Sequence, residues 1–173
     1  MEQYIPDIYQ ENIHTIDFKK LWNRGIHCLL FDLDNTLVPY SMKIPPEELI
    51  TFFAKLKEKG FRSFLFSNSP KCRVNRFKQV LQLDGVACAN KPSPKKFLNL
   101  LQLNKLEPTE VAIIGDQMMT DIKGGNLAGI TTILIEPISK VEPFWAKPNR
   151  LREKRIRKKL QDHDLFFQGR YYE

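Results

Sequence analysis

The 173 residues, 42% apolar and 27% charged, have the composition of one globular domain large enough to bury a core without disulfides or a structural metal. Three cysteines, Cys28, Cys72 and Cys88, are an odd number without CxxC spacing, which argues against a disulfide framework and a zinc site and for reduced thiols. The net charge of +7 sits in Lys147 to Lys159, where eight Lys or Arg accompany only Glu153, so any polyanionic partner, anionic lipid or nucleic acid, is expected at that one segment.

Met1 to Gln10 carries two acidic residues, no basic residue and no apolar stretch of the kind a secretory leader needs. Apolar runs such as Cys28 to Phe31 and Val111 to Ile114 are too short for a bilayer span. The expected location is therefore the cytoplasm, with peripheral contact to the inner face of a membrane as the role open to the basic end. Three regions are expected: an N-terminal extension over 1–25 packing on the core, a catalytic core over 26–140, and a basic, helical C-terminal segment over 141–173.

Ile26 to Leu33 is a nearly continuous apolar run that enters a pair of aspartates, as expected of a strand buried on both faces of a parallel sheet. Pro45-Pro46-Glu47-Glu48 opens a helix that runs to Lys59 and ends at Gly60. Phe61 to Phe66 is the second strand, ending in Ser67-Asn68-Ser69-Pro70. A helix over Val74 to Leu83, a short strand over Gly85 to Ala89, and a helix over Ser93 to Leu103 follow. Glu110 to Ile114 is the fourth strand, Asp121 to Ala128 a short helix ended by Gly129, and Thr131 to Ile135 a fifth strand rich in β-branched residues. This alternation predicts an α/β fold with a doubly wound, Rossmann-like, mostly parallel five-stranded sheet and its ligand site at the carboxyl ends of the strands.

The polar residues at those strand ends are Asp32, Asp34, Asn35 and Thr36, then Ser67 and Asn68, then Lys91, then Asp116 with Asp121. Together they offer what phosphoryl transfer requires: carboxylates for a hard divalent cation such as Mg²⁺, hydroxyl and amide donors, and a lysine opposing phosphate charge. Asp32 and Asp34, separated by one residue, are expected to start on opposite faces of the strand, so that one can stay ionised as a nucleophile while the other carries a proton. Singly, each has a structural explanation: Ser67 and Asn68 as a helix cap, Lys91 as a surface lysine, Asp116 as a turn residue. Gly124, Gly125 and Gly129 lack the phosphate-loop pattern and are read as turn and helix-end glycines. His14, His27 and His163 share no ligand spacing.

In order, DLDNT, SN, KP and GDQMMTD resemble the four motifs of the haloacid dehalogenase-like (HAD) superfamily, over roughly Ile26 to Pro137. The resemblance implies Asp32 as nucleophile and metal ligand, and Asp34 as general acid/base with its backbone carbonyl on Mg²⁺. It implies Asp116 as the second carboxylate ligand and Ser67 with the Asn68 backbone on the phosphoryl group. Lys91 would neutralise that group and fix Asp32, Thr36 completes the phosphatase-type motif on the phosphate side, and Asp121 supports from behind. The intervals Thr36 to Ser67 and Asn68 to Lys91 are too short for a large cap domain, so the site is expected to be open and suited to phosphate carried on something large. From HTIDFKKLWNRGIHCLLFDLDNTLVPY to the basic end, the order of features resembles the YqeG-like, class IIIA branch, which includes phosphatidylglycerophosphate phosphatases.

The resemblance implies a phosphoric monoester hydrolase that converts phosphatidylglycerophosphate to phosphatidylglycerol. A phosphatase acting on nucleic-acid ends or on protein, and an RNA- or ribonucleoprotein-binding module on a phosphatase frame, are the alternatives that the same residues leave open. If Leu151 to Phe167 is helical, Ile156, Leu160, His163 and Phe167 share a face flanked by Arg155, Arg157, Lys158 and Lys159. That stripe either docks on a membrane or packs on the sheet.

Overall fold

The computed structural model describes residues 2–141 and 147–162. Its centre is an all-parallel sheet of β1 (Ile8–Gln10), β2 (Cys28–Phe31), β3 (Arg62–Phe66), β4 (Asp84–Val86), β5 (Val111–Gly115) and β6 (Thr131–Ile135), in the order β1-β6-β5-β2-β3-β4. The sheet has six strands where the sequence predicts five. The extra one, β1, lies in the N-terminal region, where three residues are too few to show a two-residue period; it joins the edge through Ile8 to Ile133 pairing. Asp7 locks that edge, accepting from the Thr132 backbone at 2.7 Å and from its hydroxyl at 3.0 Å.

The period of two in the strands explains the layers. Leu29, Phe31, Leu65, Ala112 and Ile114 face one side and meet α1 (Phe18–Asn23), α2 (Glu47–Glu58) and α3 (Lys71–Leu81) through Leu21, Phe53 and Phe77. Cys28, Leu30, Phe64, Phe66 and Ile113 face the other and meet α4 (Lys95–Asn104) and α5 (Lys123–Ala128). Both faces are covered, which is why the strands read as continuous apolar runs rather than as alternating ones.

Two boundaries differ from expectation for local reasons. Helix α3 starts at Lys71, directly after Pro70, whose fixed φ suits a helix entry. The helix expected from Asp121 is instead a π-helical turn over Met118–Ile122 that leads into α5. Gly124 and Gly125 are not turn residues. They lie inside α5, where a Cβ on Gly125 would come within 2.5 Å of Ile113 Cγ2 and 2.6 Å of Thr132 Cγ2. Gly129 does end the helix, in the left-handed region at φ 73°.

The C-terminal helix α6 (Lys147–Asp162) settles the choice left open for the basic end. Leu160 is fully buried and Ile156 half-buried against Tyr9, Met118, Ile122 and Leu134, so the apolar stripe packs on the protein. His163 and Phe167, assigned to the same stripe, lie outside the described residues. Arg152, Lys154, Arg155, Lys158 and Lys159 face outward, while Arg157 turns inward onto Glu153 and Glu136. Among the described residues no helix is long and apolar enough to cross a membrane.

Close packing of α5 on the sheet gives a direct test. Gly125→Ala gains about 1 kcal/mol of helix propensity but forces the new methyl into Ile113 and Thr132, and a net loss of about 1–3 kcal/mol in urea denaturation is expected. Leu103→Ala, at a side chain that is 74% exposed, should stay within about 0.5 kcal/mol of the wild type.

Candidate active site

The strand order reverses between β2 and β5, and the crevice beyond their carboxyl ends is where an open α/β sheet places its ligands. Strand β2 delivers Asp32, whose backbone N–H still pairs with Ile114 at 2.9 Å. The chain then turns through Asn35, at φ 62°, and Asp34 bridges back to Val38. Strand β5 delivers Asp116 directly after Gly115. A side chain on Gly115 would collide with the Asp121 carboxylate, so glycine is what allows Asp121, on the π-helical turn, to fold back over the strand end. Asp121 is held there by the Gln117 backbone N–H, at 3.1 Å.

Three carboxylates therefore converge. Asp32, Asp116 and Asp121 are all buried, and one oxygen from each lies within 4.8 Å of the others. Lys91 enters from the segment after β4 and donates to Asp32 at 2.7 Å, to Asp121 at 2.6 Å and to the Phe66 carbonyl at 2.8 Å. Its three protons are fully used. Burial alone would lower the Lys91 pKa, but Asp121 and Asp32 outweigh it and hold the ammonium above its ordinary value. Burial pushes Asp116 well above the usual carboxylate range, with Asp32 and Asp121 adding to the rise against Arg150. Burial likewise takes Asp121 to about 6, with Lys91 opposing.

The other expected site residues divide around this cluster. Asp34 points elsewhere, into an ion pair with Arg73 at 2.6 Å and a hydrogen bond from the Ser69 hydroxyl, and burial raises its pKa. Thr36, expected on the phosphate, is buried with its hydroxyl between two carboxylates, 3.0 Å from Asp116 and 3.3 Å from Asp32. Ser67 is buried and accepts from the Ser69 N–H at 3.1 Å. The Asn68 side chain spans to Lys91, accepting from its backbone N–H at 2.8 Å and donating to its carbonyl at 3.1 Å, and so ties the β3 loop to the lysine. Asp121, expected behind the site, stands in the carboxylate group itself.

Two arginines escape the sequence. Arg73, on α3, grips Asp34 and also donates to the Met42 carbonyl at 2.7 Å, joining the loop after β2 to α3. Arg150, on α6, pairs with the Asp116 carboxylate and donates to the Asp116 carbonyl at 2.8 Å. Neither carries a spacing signal. Arg73 is one of four basic residues on α3, with Lys71, Arg76 and Lys78, and Arg150 is one of eight in a run that reads as a solvated face.

The all-oxygen donor set of three ionisable carboxylates fits a hard divalent cation, and the adjacent ammonium fits an anionic group bound beside it. Phosphoryl transfer needs those two features together.

Comparisons with known proteins agree. Residues 88–137 match a family described as HAD-hydrolase-like. The chain is 35% identical to the probable phosphatase YqeG of Bacillus subtilis over 88% of this chain and 89% of that protein. It is 26% identical to a chloroplastic phosphatidylglycerophosphate phosphatase 1 of Chlamydomonas reinhardtii, over 82% of this chain and 60% of that one. Its counterpart from Arabidopsis thaliana is 28% identical, over 93% and 51%. Among solved structures, the cobalt-bound deoxy-D-mannose-octulosonate 8-phosphate phosphatase of Haemophilus influenzae shares the fold, with a TM-score of 0.53 at 14% identity over 75% of this chain and 77% of that one.

The raised carboxyl groups predict an inverted pH response in metal-free protein. Because Asp121 moves from 3.8 to about 6 on folding, its contribution to stability is full below 3.8 and is lost as pH rises through about 6. In chelator, the unfolding midpoint should therefore climb as pH falls from 7 to 5, and Asp121→Asn should flatten that slope. A midpoint that falls steadily over the same range in wild type would contradict the electrostatics described.

Proposed function

We propose that this chain, which belongs to the HAD superfamily and is a phosphatase of that superfamily, uses Mg²⁺ to remove the terminal phosphate of phosphatidylglycerophosphate through an aspartyl-phosphate on Asp32. The observation that carries the chemistry is the Lys91 ammonium lodged between Asp32 and Asp121 beside Asp116, at the point where the strand order reverses. The lipid assignment draws on the phosphatidylglycerophosphate phosphatases, of which this chain spans about half to three-fifths.

The residues have distinct parts in this reading. Lys91 fixes Asp32 Oδ1, leaving Oδ2 to attack phosphorus while the bond to the leaving oxygen breaks. Asp34, set apart from the cluster, protonates that oxygen and then takes a proton from the water that hydrolyses the aspartyl-phosphate, restoring Asp32. Burial raises its pKa in the direction that an acid requires. Mg²⁺, held by Asp32 and Asp116, would neutralise charge on the phosphoryl oxygens. Ser67 and the Asn68 backbone receive the same oxygens.

The intervals after β2 and after β3 are filled by α2 with β3 and by α3 with β4, so among the described residues no large cap covers the site. Such a site suits a phosphate presented at a surface. The outward basic residues of α6 supply charge complementary to an anionic bilayer.

Released phosphate should be measured with Mg²⁺ and phosphatidylglycerophosphate, sugar phosphates, nucleotides and 5′-phosphorylated oligonucleotides. Lipid turnover is expected to fall at least about a thousandfold in Asp32→Asn and to vanish in chelator. Turnover confined to oligonucleotides or phosphoprotein would keep the mechanism and remove the lipid, and RNA binding without Asp32-dependent turnover would remove both.

A further inference from the structure

Asp116 is 0% exposed, and both its carboxylate oxygens are engaged: Oδ1 by the Thr36 hydroxyl at 3.0 Å and Oδ2 by Arg150. Arg150 comes from α6, far along the chain from any motif. Its other nitrogen holds the Asp116 backbone carbonyl at 2.8 Å and lies 3.4 Å from Glu153. A divalent ion on Asp116 would bind at about 2.1 Å from an oxygen and would meet the guanidinium at a range where like charges repel strongly in a partly buried site. The two cations therefore compete for the Asp116 carboxylate.

We propose that Arg150 is a resident counter-cation of the metal seat, one that neutralises Asp116 until a divalent ion takes its place and that keeps its hold on α6 through Glu153 when displaced. The inference rests on the metal-dependent reading above and adds to it an exchange built into the C-terminal helix. Its chemistry is a swap of ionic partners: the Arg150 to Asp116 pair opens, the metal to carboxylate bond forms, and no proton or electron moves. The geometry also explains why this basic segment sends Arg150 to the buried Asp116 while five neighbouring basic side chains face outward.

Because the exchange is reciprocal, metal binding must loosen the docking of α6, and removal of Arg150 must favour metal. The experiment is Mg²⁺ titration by calorimetry at pH 8 for wild type, Arg150→Gln and Arg150→Lys, with limited trypsin digestion of wild type with and without Mg²⁺. Arg150→Gln should bind Mg²⁺ on the order of tenfold more tightly than wild type, with a lower melting temperature in chelator, and Arg150→Lys should fall between. Cleavage within 150–159 of the wild type should quicken several-fold when Mg²⁺ is added, a readout that needs no variant.

Equal or weaker Mg²⁺ binding by a folded Arg150→Gln, or slower cleavage of α6 with Mg²⁺, would overturn the exchange while leaving the metal-dependent reading intact. Absence of Mg²⁺ binding to wild type and variants alike would overturn both.

Discussion

The site depends on one buried ammonium. Lys91 is buried, and its three donors go to Asp32, Asp121 and the Phe66 carbonyl. Remove it, and three carboxylates within 4.8 Å of one another lose a cation from their midst; leave it, and Asp32 and Asp121 each have a fixed direction. With all three carboxylates ionised and Arg150 counted, the metal-free cluster holds three negative charges against two positive ones and is one unit negative. A divalent ion in place of Arg150 brings three negative and three positive charges together. That balance is why a dication suits the cluster better than any arrangement of its own side chains.

The same electrostatics reach beyond the site along a ladder of ion pairs. Asp116 holds Arg150, and Arg150 meets Glu153 at 3.4 Å. Glu153 holds Arg157 at 3.1 Å, and Arg157 holds Glu136 at 2.8 Å and the Tyr9 hydroxyl at 3.2 Å. Tyr9 belongs to edge strand β1, so the ladder joins the end of β5 to β1 through α6. Glu153 is the pivotal rung. It is buried, which pushes its pKa up, and it faces two arginines that would otherwise be left without their shared carboxylate. Buried networks of this kind add little net stability over an apolar core, but they are costly to break, so they specify where α6 sits.

What the sequence reveals follows from the range of the interactions involved. The runs Cys28 to Phe31 and Val111 to Ile114 are legible because burial on both faces selects apolar residues at every position. Asp32, Lys91 and Asp116 are legible because the strand ends of a doubly wound sheet converge whatever the loops do. Strand β1 is not, because its three residues owe their conformation to β6 and to Asp7 rather than to any local pattern. Arg73 and Arg150 escape for the same reason: an arginine on a helix surface and one that reaches a buried carboxylate have the same neighbours in sequence. Thr36 sits where the motif predicts, yet the backbone turn at Asn35 directs its hydroxyl to Asp32 and Asp116, which spacing alone does not reveal.

The two-residue spacing of Asp32 and Asp34 shows how one short motif produces two chemical environments. On a strand, side chains two apart would share a face, yet the chain leaves β2 at Phe31 and turns at Asn35, so Asp34 departs from the line of the strand. Asp32 remains among carboxylates, paired with Lys91 at 2.7 Å. Asp34 meets Arg73 and the Ser69 hydroxyl on the other side of the turn, removed from that crowd. The expectation that the pair would separate because a strand alternates its faces therefore reaches the right separation by the wrong geometry: the turn divides them, not the pleat. The loop carrying Arg73's second contact, at Met42, then fixes the turn against α3, so that the spacing between the two acids is set by packing outside the motif.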